Sequence, residues 1–261
     1  MNWKGKTVLI TGGSSGIGAE LARAINVKGG RIVLASRNQD KLIEVQRSLS
    51  GWSKVFELDL GSEKSISDFL KNLENQGIHI DVLINNGGIS QRSLSLETQL
   101  EVDRKIMEVN YFGSVALTKA LVPKMLERGF GKIVSISSIA GCFGFPLRSA
   151  YSASKHAMVG FYESLSLELD QEAVDVHLVF PGRVQTSISS SALTGKGEAH
   201  GQADPGQEEG IPAEKCAQDV LRGIEKGKFK TYSGGKELLM VKIHRWFPRI
   251  FRKLATKISP T

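Results

Sequence analysis

Three side chains in this 261-residue chain have the types and the spacing for carbonyl and proton chemistry: Ser138, Tyr151 and Lys155. Tyr151-Ser152-Ala153-Ser154-Lys155 opens a stretch that reads as helix, and the i, i+4 spacing puts the phenol and the ammonium on one face. A free tyrosine titrates near pH ~10. A neighbouring ammonium favours the phenolate, so Tyr151 could trade a proton near neutral pH. Ser138 lies 13 residues upstream, just past an apolar run, where its hydroxyl could hold a carbonyl oxygen beside the phenol. Singly, each residue is commonplace at a strand end or helix start. Their coincidence with a glycine-rich turn near the N-terminus makes the set specific.

That turn is Thr11-Gly12-Gly13-Ser14-Ser15-Gly16-Ile17-Gly18, with the pattern T-G-x-x-x-G-x-G. It lies between an apolar run and a helical stretch. Glycines let the backbone turn sharply and approach a pyrophosphate, and the helix that follows offers unpaired N–H groups and a positive dipole. A mere tight turn is the alternative, which the strand–turn–helix context disfavours. Further along, the second apolar run ends in Ser36-Arg37. An acidic residue there would bind a ribose 2′-hydroxyl and favour NAD. A neutral serine followed by a planar guanidinium suits a 2′-phosphate, hence NADP(H). A solvated surface arginine is the other reading of Arg37. Asp59, with Leu60 beside it, ends the third run on the adenine side and could accept from an adenine amino group; a solvated loop aspartate is equally compatible.

These groups need a scaffold, and the pattern supplies one. Apolar, β-branched runs at 7–11, 31–35, 54–58, 81–85, 131–137, 175–180 and 229–233 alternate with helical stretches at 16–28, 38–49, 62–75, 99–128 and 149–171. Another helical stretch runs from 211 to 226. Nearly continuous runs such as Val-Leu-Ile and Ile-Val-Leu-Ala are buried on both faces, as in a parallel sheet flanked by helices. Repeated βαβ units predict an α/β, doubly wound, Rossmann-like fold with ligands at the carboxyl ends of the strands. The expected organisation is a single domain over 1–235 followed by a basic amphipathic tail over 236–261.

Composition agrees. With 41% hydrophobic and 23% charged residues the chain is an ordinary globular one, not disordered, collagenous or coiled-coil. No run of about 18 apolar residues suggests a spanning helix. No charged-then-apolar leader precedes the first strand, and Cys142 and Cys216 cannot form a disulfide framework or a four-ligand zinc site. A reducing, cytoplasmic setting fits. No HExxH or Cys/His cluster suggests a metal. The net charge of +7 sits mostly in the tail, where seven basic residues face one acidic residue between 236 and 257. The near-neutral body argues against a nucleic-acid-binding surface.

Taken in order, Thr11–Gly18, Asn85-Asn86-Gly87-Gly88, Asn110, Ser137-Ser138, Tyr151-x-x-x-Lys155 and Pro181-Gly182 make the sequence resemble a single-domain short-chain dehydrogenase/reductase. The likeness runs from about residue 7 to 212. It implies hydride transfer between a nicotinamide and a carbinol or carbonyl carbon. It assigns Tyr151 as acid/base, Ser138 as carbonyl holder, and Lys155 as ribose binder and depressor of the tyrosine pKa. Asn110 would anchor a proton-relaying water. Ser14, Ser15, Ile17, Asn86, Gly87, Pro181, Gly182, Val184 and Thr186 would contact the dinucleotide, the last two at the carboxamide. One departure is visible: the family usually reads Asn-Asn-Ala-Gly, where this chain has Gly87. That change should loosen the adenosine-side contact slightly. The Asn-Gly-Gly-Ile-Ser segment and the basic apolar tail are similar to a branch of hydroxysteroid and retinoid reductases found on membranes. The resemblance also implies homodimers or homotetramers.

The substrate side is less defined. The segment Ala140-Gly141-Cys142-Phe143-Gly144-Phe145-Pro146 could line an apolar pocket, with Cys142 a small hydrophobe rather than a nucleophile. Residues 186–212, rich in glycine and serine, read as a lid or a disordered loop. Together they suggest an apolar ketone, aldehyde or secondary alcohol as substrate. In the tail, Ile250, Phe251, Leu254 and Ile258 share one helical face and Arg249, Arg252, Lys253 and Lys257 take the other. That arrangement suits an anionic lipid surface, or else packing on protein. A non-catalytic NADP(H) sensor or scaffold is the main alternative function, disfavoured by the intact Ser138, Tyr151 and Lys155. A sugar epimerase or dehydratase, which also uses Tyr-x-x-x-Lys, would need more chain than the roughly 80 residues after the sixth strand.

Overall fold

The structure, a computed structural model, describes residues 1–256. Ile258 and Lys257, read above as part of the tail's two faces, lie outside the described residues. Among the described residues, seven parallel strands form one sheet: β1 (Thr7–Thr11), β2 (Arg31–Ser36), β3 (Ser53–Glu57), β4 (Val82–Asn85), β5 (Gly131–Ile136), β6 (Val174–Pro181) and β7 (Lys230–Ser233). Their order is β3-β2-β1-β4-β5-β6-β7, so the winding reverses between β1 and β4 and opens a crevice at the carboxyl ends of those strands.

Alternation along the strands divides the core into two layers. Val8 and Ile10, Ile32 and Leu34, and Val82 and Ile84 face α1 (Gly16–Val27) and α8 (Ala213–Glu225), where they meet Leu21, Ala22, Cys216, Val220 and Ile224. Leu9, Val33, Leu83 and Ile133 face the opposite way, toward α3 (Glu63–Asn75), α5 (Gly113–Glu127) and α6 (Ser149–Glu168). Both faces are covered, which is why these strands carry no polar alternation.

The stretch 99–128, read from sequence as one helix, is interrupted. It consists of α4 (Leu100–Met107), a π turn (Glu108–Phe112) and α5. The wider turn places Asn110, fully buried, against the loop after β4. The remaining helices are α2 (Gln39–Arg47), a short α7 (Pro205–Glu208) inside the 186–212 segment, and α9 (Leu239–Trp246) and α10 (Pro248–Ala255) in the tail.

The tail packs on the body. Phe251 and Ala255 of α10 are buried with Ile139 and Phe143, and the Phe143 and Phe251 rings lie 4.8 Å apart nearly edge to face. Ile250 and Leu254, grouped with Phe251 in the sequence reading, are instead exposed, as are Trp246 and Phe247. A helix of this length turns about 100° per residue, so neighbours such as Ile250 and Phe251 part company once one of them docks.

Candidate active site

The crevice holds a cavity of about 650 Å³ lined by strand-end segments: Gly12, Ser14–Ile17, Ser36, Arg37, Asp59, Leu60, Asn86, Gly87, Pro181, Gly182, Val184 and Thr186, together with Ser138, Tyr151 and Lys155. Of the residues singled out by sequence, Gly18 and Asn110 do not line it. Gly18 lies one layer behind, where an added Cβ would stand 2.5 Å from the Gly12 carbonyl oxygen and 2.6 Å from the Asn86 amide. Asn110 braces the wall: its Oδ1 accepts from the Ile89 N–H at 2.8 Å, and its Nδ2 donates to the Ile89 carbonyl and to Ser154 Oγ, each at 2.9 Å.

The glycine turn fits a pyrophosphate on two counts. Gly12 and Gly16 adopt φ of 63° and 54°, and a Cβ on Gly12 would meet the Gly87 Cα at 2.8 Å. Only glycine holds that conformation and that approach without strain. The start of α1 has no side-chain cap and no acidic residue in its first turn. In contrast, α2 and α3 are capped by Asn38 and Ser62. The positive end of α1 thus opens on the cavity without a side-chain cap, where an anion could meet it. Thr11, unremarked in the sequence beyond the motif, ties the two loops together: its Oγ1 accepts from the Asn86 and Gly87 N–H groups at 3.0 and 2.9 Å.

Around the phenol, Ser138 Oγ accepts from the Ala140 N–H at 3.1 Å and donates to the Pro181 carbonyl at 3.4 Å, and it lines the same cavity as Tyr151. Gly141 lets this loop pack closely on α6, since a Cβ there would stand 2.8 Å from the Lys155 carbonyl oxygen. Burial pushes the Tyr151 phenol up, opposed by the Ser138 hydrogen bond and then by the charges of Arg92 and Arg148. The ammonium of Lys155 is buried, donates to the Ile136 carbonyl at 2.9 Å, and stands 5.8 Å from the centre of the Tyr151 ring. Burial lowers its pKa to about 8. The sequence reading placed the cation on one face with the phenol; the ammonium bonds the end of β5 while still facing the Tyr151 ring, and both residues line the larger cavity.

A second cavity of about 370 Å³ opens on the other side of Ser138 and Tyr151. Ile139, Ala140, Phe145, Pro146, Ile188 and Met240 form its apolar wall. Phe143 is not part of it; that ring is core, against Phe251. Cys142 is partly buried and burial pushes its thiol up, which agrees with a packing role. Charged residues that sequence reasoning did not single out complete the lining: Arg92, Arg148, Arg183, Asp204, Glu209 and Glu237. No local motif announces them.

The 186–212 segment is ordered. Leu193 exchanges backbone hydrogen bonds with the loop after β4, its N–H to the Ser90 carbonyl at 2.9 Å and its carbonyl from the Arg92 N–H at 2.8 Å. Asp204 forms a buried ion pair with Arg92 and a second with Arg148.

Fold and site define an oxidoreductase scaffold, and comparison places it. The chain belongs to the short-chain dehydrogenase/reductase family: the family model described as short chain dehydrogenase matches residues 6–196. A Drosophila melanogaster protein named dehydrogenase/reductase SDR family protein 7-like is 44% identical over 227 residues, 84% of this chain and 70% of its own length. Two solved structures share the fold. A short-chain dehydrogenase/reductase from Burkholderia phymatum in complex with NAD has a TM-score of 0.83 at 22% identity, over 100% of this chain and 98% of its own. A short-chain dehydrogenase from Sphingobium yanoikuyae in complex with NADPH has a TM-score of 0.76 at 23% identity, over 98% and 97%.

Proposed function

We propose that the protein is an NADP(H)-dependent reductase of apolar ketones or aldehydes, or in reverse a dehydrogenase of secondary alcohols. The observation that carries this reading is continuity. The uncapped, glycine-lined start of α1 and the Ser138–Tyr151 pair border one cavity, and that pair also borders the second. The turn at 12–18 and the N–H groups of α1 would hold the pyrophosphate. Arg37, exposed at the rim, would meet a 2′-phosphate, and Lys155 would hold the nicotinamide ribose. The dinucleotide, when bound, supplies a hydride. Ser138 orients the substrate oxygen, and Tyr151 gives that oxygen its proton in reduction and takes it back in oxidation. Asn110, by bracing the loop at Ile89, would fix the wall along which a water could relay protons to Lys155.

The test is a panel of steroids, retinal, acyl ketones and small aldehydes, followed through NADPH absorbance. Turnover of apolar carbonyls is expected, with NADPH well ahead of NADH. No turnover with any member sinks the enzymatic reading, and faster reduction of polar sugars or hydroxy acids sinks the apolar one.

Two further parts of the proposal concern partners. Trp246, Phe247, Ile250 and Leu254 are exposed beside Arg245, Arg249, Arg252 and Lys253, a combination suited to an anionic lipid surface. Among the described residues no helix is long and apolar enough to cross a membrane. Because Met240 and Phe251 serve the body, removing the tail would damage the pocket, so the clean test is substitution. Trp246→Ser with Ile250→Ser should abolish pelleting with phosphatidylserine vesicles at unchanged melting temperature; undiminished pelleting removes the lipid reading. Self-association through α5 and α6 completes the proposal, supported by exposed Phe112 and Leu167 at their ends. A monomeric mass by light scattering would overturn it.

A further inference from the structure

A charged cluster joins the lid segment to the body and has no part in holding a dinucleotide. The Asp204 carboxylate accepts from Arg92 Nε at 2.9 and 3.1 Å, from Arg92 Nη2, and from Arg148 Nη2 at 2.7 Å. Ser90 Oγ and the Gln91 carbonyl complete Arg92 at 2.9 and 2.6 Å. Arg92 and Asp204 are only 7% and 6% exposed. Burying such charges is costly unless geometry and extra hydrogen bonds compensate, and an apolar pair of similar volume would often hold a lid as well. Two guanidinium groups converge on this one carboxylate. All three side chains line the second cavity together with Ser138 and Tyr151.

The charged groups around the phenol come from four directions. Lys155 lies on its own helix and is turned to the Ile136 carbonyl; Arg148 stands at that helix's start; Arg92 comes from the loop after β4; Asp204 comes from the lid. Arg183, Glu209 and Glu237 lie further round the cavity. We propose that Arg92 and Arg148 are positioning residues for the Tyr151 proton, and that Asp204 is the lid's catch on them. The proposal takes the proton role of Tyr151 from the reading above. In reduction the phenol O–H bond breaks and its proton goes to the substrate oxygen, whose carbon receives the hydride; the electron pair of the broken bond stays on the phenolate. Two guanidinium groups lining the same cavity stabilise that phenolate, and Asp204 offsets part of their field. When the catch is released the partial offset goes with Asp204, but water screens the whole field of both guanidinium groups, so the net field at the phenol weakens. Closure of the lid and ionisation of the tyrosine are then coupled.

The phenol can be followed without turnover. The tyrosinate ultraviolet absorbance of the whole protein, minus that of Tyr151→Phe in the same background, isolates Tyr151. Arg92→Gln should raise its midpoint by about one pH unit, the size expected for losing a nearby opposite charge. Arg92→Lys should recover at least half of that shift. If Arg92→Gln does not fold, Arg148→Gln, whose side chain is 17% exposed, must shift the midpoint the same way. Asp204→Asn keeps the shape of the carboxylate. It should speed tryptic cleavage after the exposed Lys196 of the lid by about fivefold, as expected of a local opening made easier. An unmoved midpoint in the folded arginine variants, or unaltered cleavage in Asp204→Asn, overturns the proposal. Absence of carbonyl reduction by the unsubstituted protein would instead break the functional reading, whatever the titration shows.

Discussion

The two cavities share Ser138 and Tyr151 and are built by opposite means. The larger is made mostly of backbone: short segments at the carboxyl ends of β1 to β6, shaped by glycines and by the bare start of α1. The smaller is made of side chains drawn from distant parts of the chain and closed by a contact between Arg92 and Asp204, 112 residues apart. A site of the first kind recognises a common phosphate geometry and tolerates little change. A site of the second kind can be rebuilt residue by residue without touching the sheet. The same scaffold can thus keep its cofactor while its substrate changes.

Tyr151→Phe is the sharpest test of that division. Turnover should fall by about 10³-fold, or ~4 kcal/mol of barrier, while NADPH affinity stays within about twofold. Loss of cofactor binding would mean that the two cavities are not separable.

The sheet beneath them carries a shared liability. His177 on β6 is buried, its Nδ1 paired with the Lys228 carbonyl and its Nε2 without a hydrogen bond. Burial lowers its pKa from 6.5 to about 4. Between those values the unfolded chain binds a proton that the folded protein refuses. Stability should therefore fall as pH drops from about 6.5 toward 4, by about 3 kcal/mol in total, with no effect above 6.5. Melting temperatures of the protein and of His177→Gln, compared at neutral and acid pH, should converge as pH falls. Parallel curves would remove His177 as the cause.

Gly12→Ala probes the backbone-built half. Its φ of 63° and the 2.8 Å approach to Gly87 should cost NADPH binding about 2 kcal/mol. Unchanged affinity by titration would show that the turn is not a phosphate cradle. Arg37→Asp should have the mildest effect, shifting the NADPH-to-NADH ratio of kcat/KM by about tenfold, because the group is exposed and screened. An unaltered ratio would relieve Arg37 of any part in cofactor choice.

This contrast also explains what could be read from the sequence. The strands, their order of appearance and the glycine turn are local patterns, and each was legible because short-range sterics and burial on both sheet faces dictate them. The Tyr151–Lys155 spacing located both groups but not their relation. The i, i+4 rule puts two side chains on one face, but the bond of the ammonium to the Ile136 carbonyl, 5.8 Å from the Tyr151 ring centre, depends on where β5 ends. Arg92, Arg148 and Asp204 were invisible for a different reason. Each is an ordinary polar residue in a loop or at a helix start, and only the packing of the 186–212 segment on the body brings them together. The tail's helical character was legible, but its rotation was not, since that depended on the pocket behind Phe143 accepting Phe251.

The π turn at Glu108–Phe112 makes chain length itself a determinant here. Deleting one residue from it would restore ordinary helical pitch and leave α4 and α5 in nearly the same rotational register, because a π turn takes in one residue more than an α turn. Val102 and Ile106 would keep their contact with Ala150, but Asn110 would lose the widened turn that sets it against Ile89. Residue identities at Glu108 or Tyr111 can drift, but the extra residue that places Asn110 cannot.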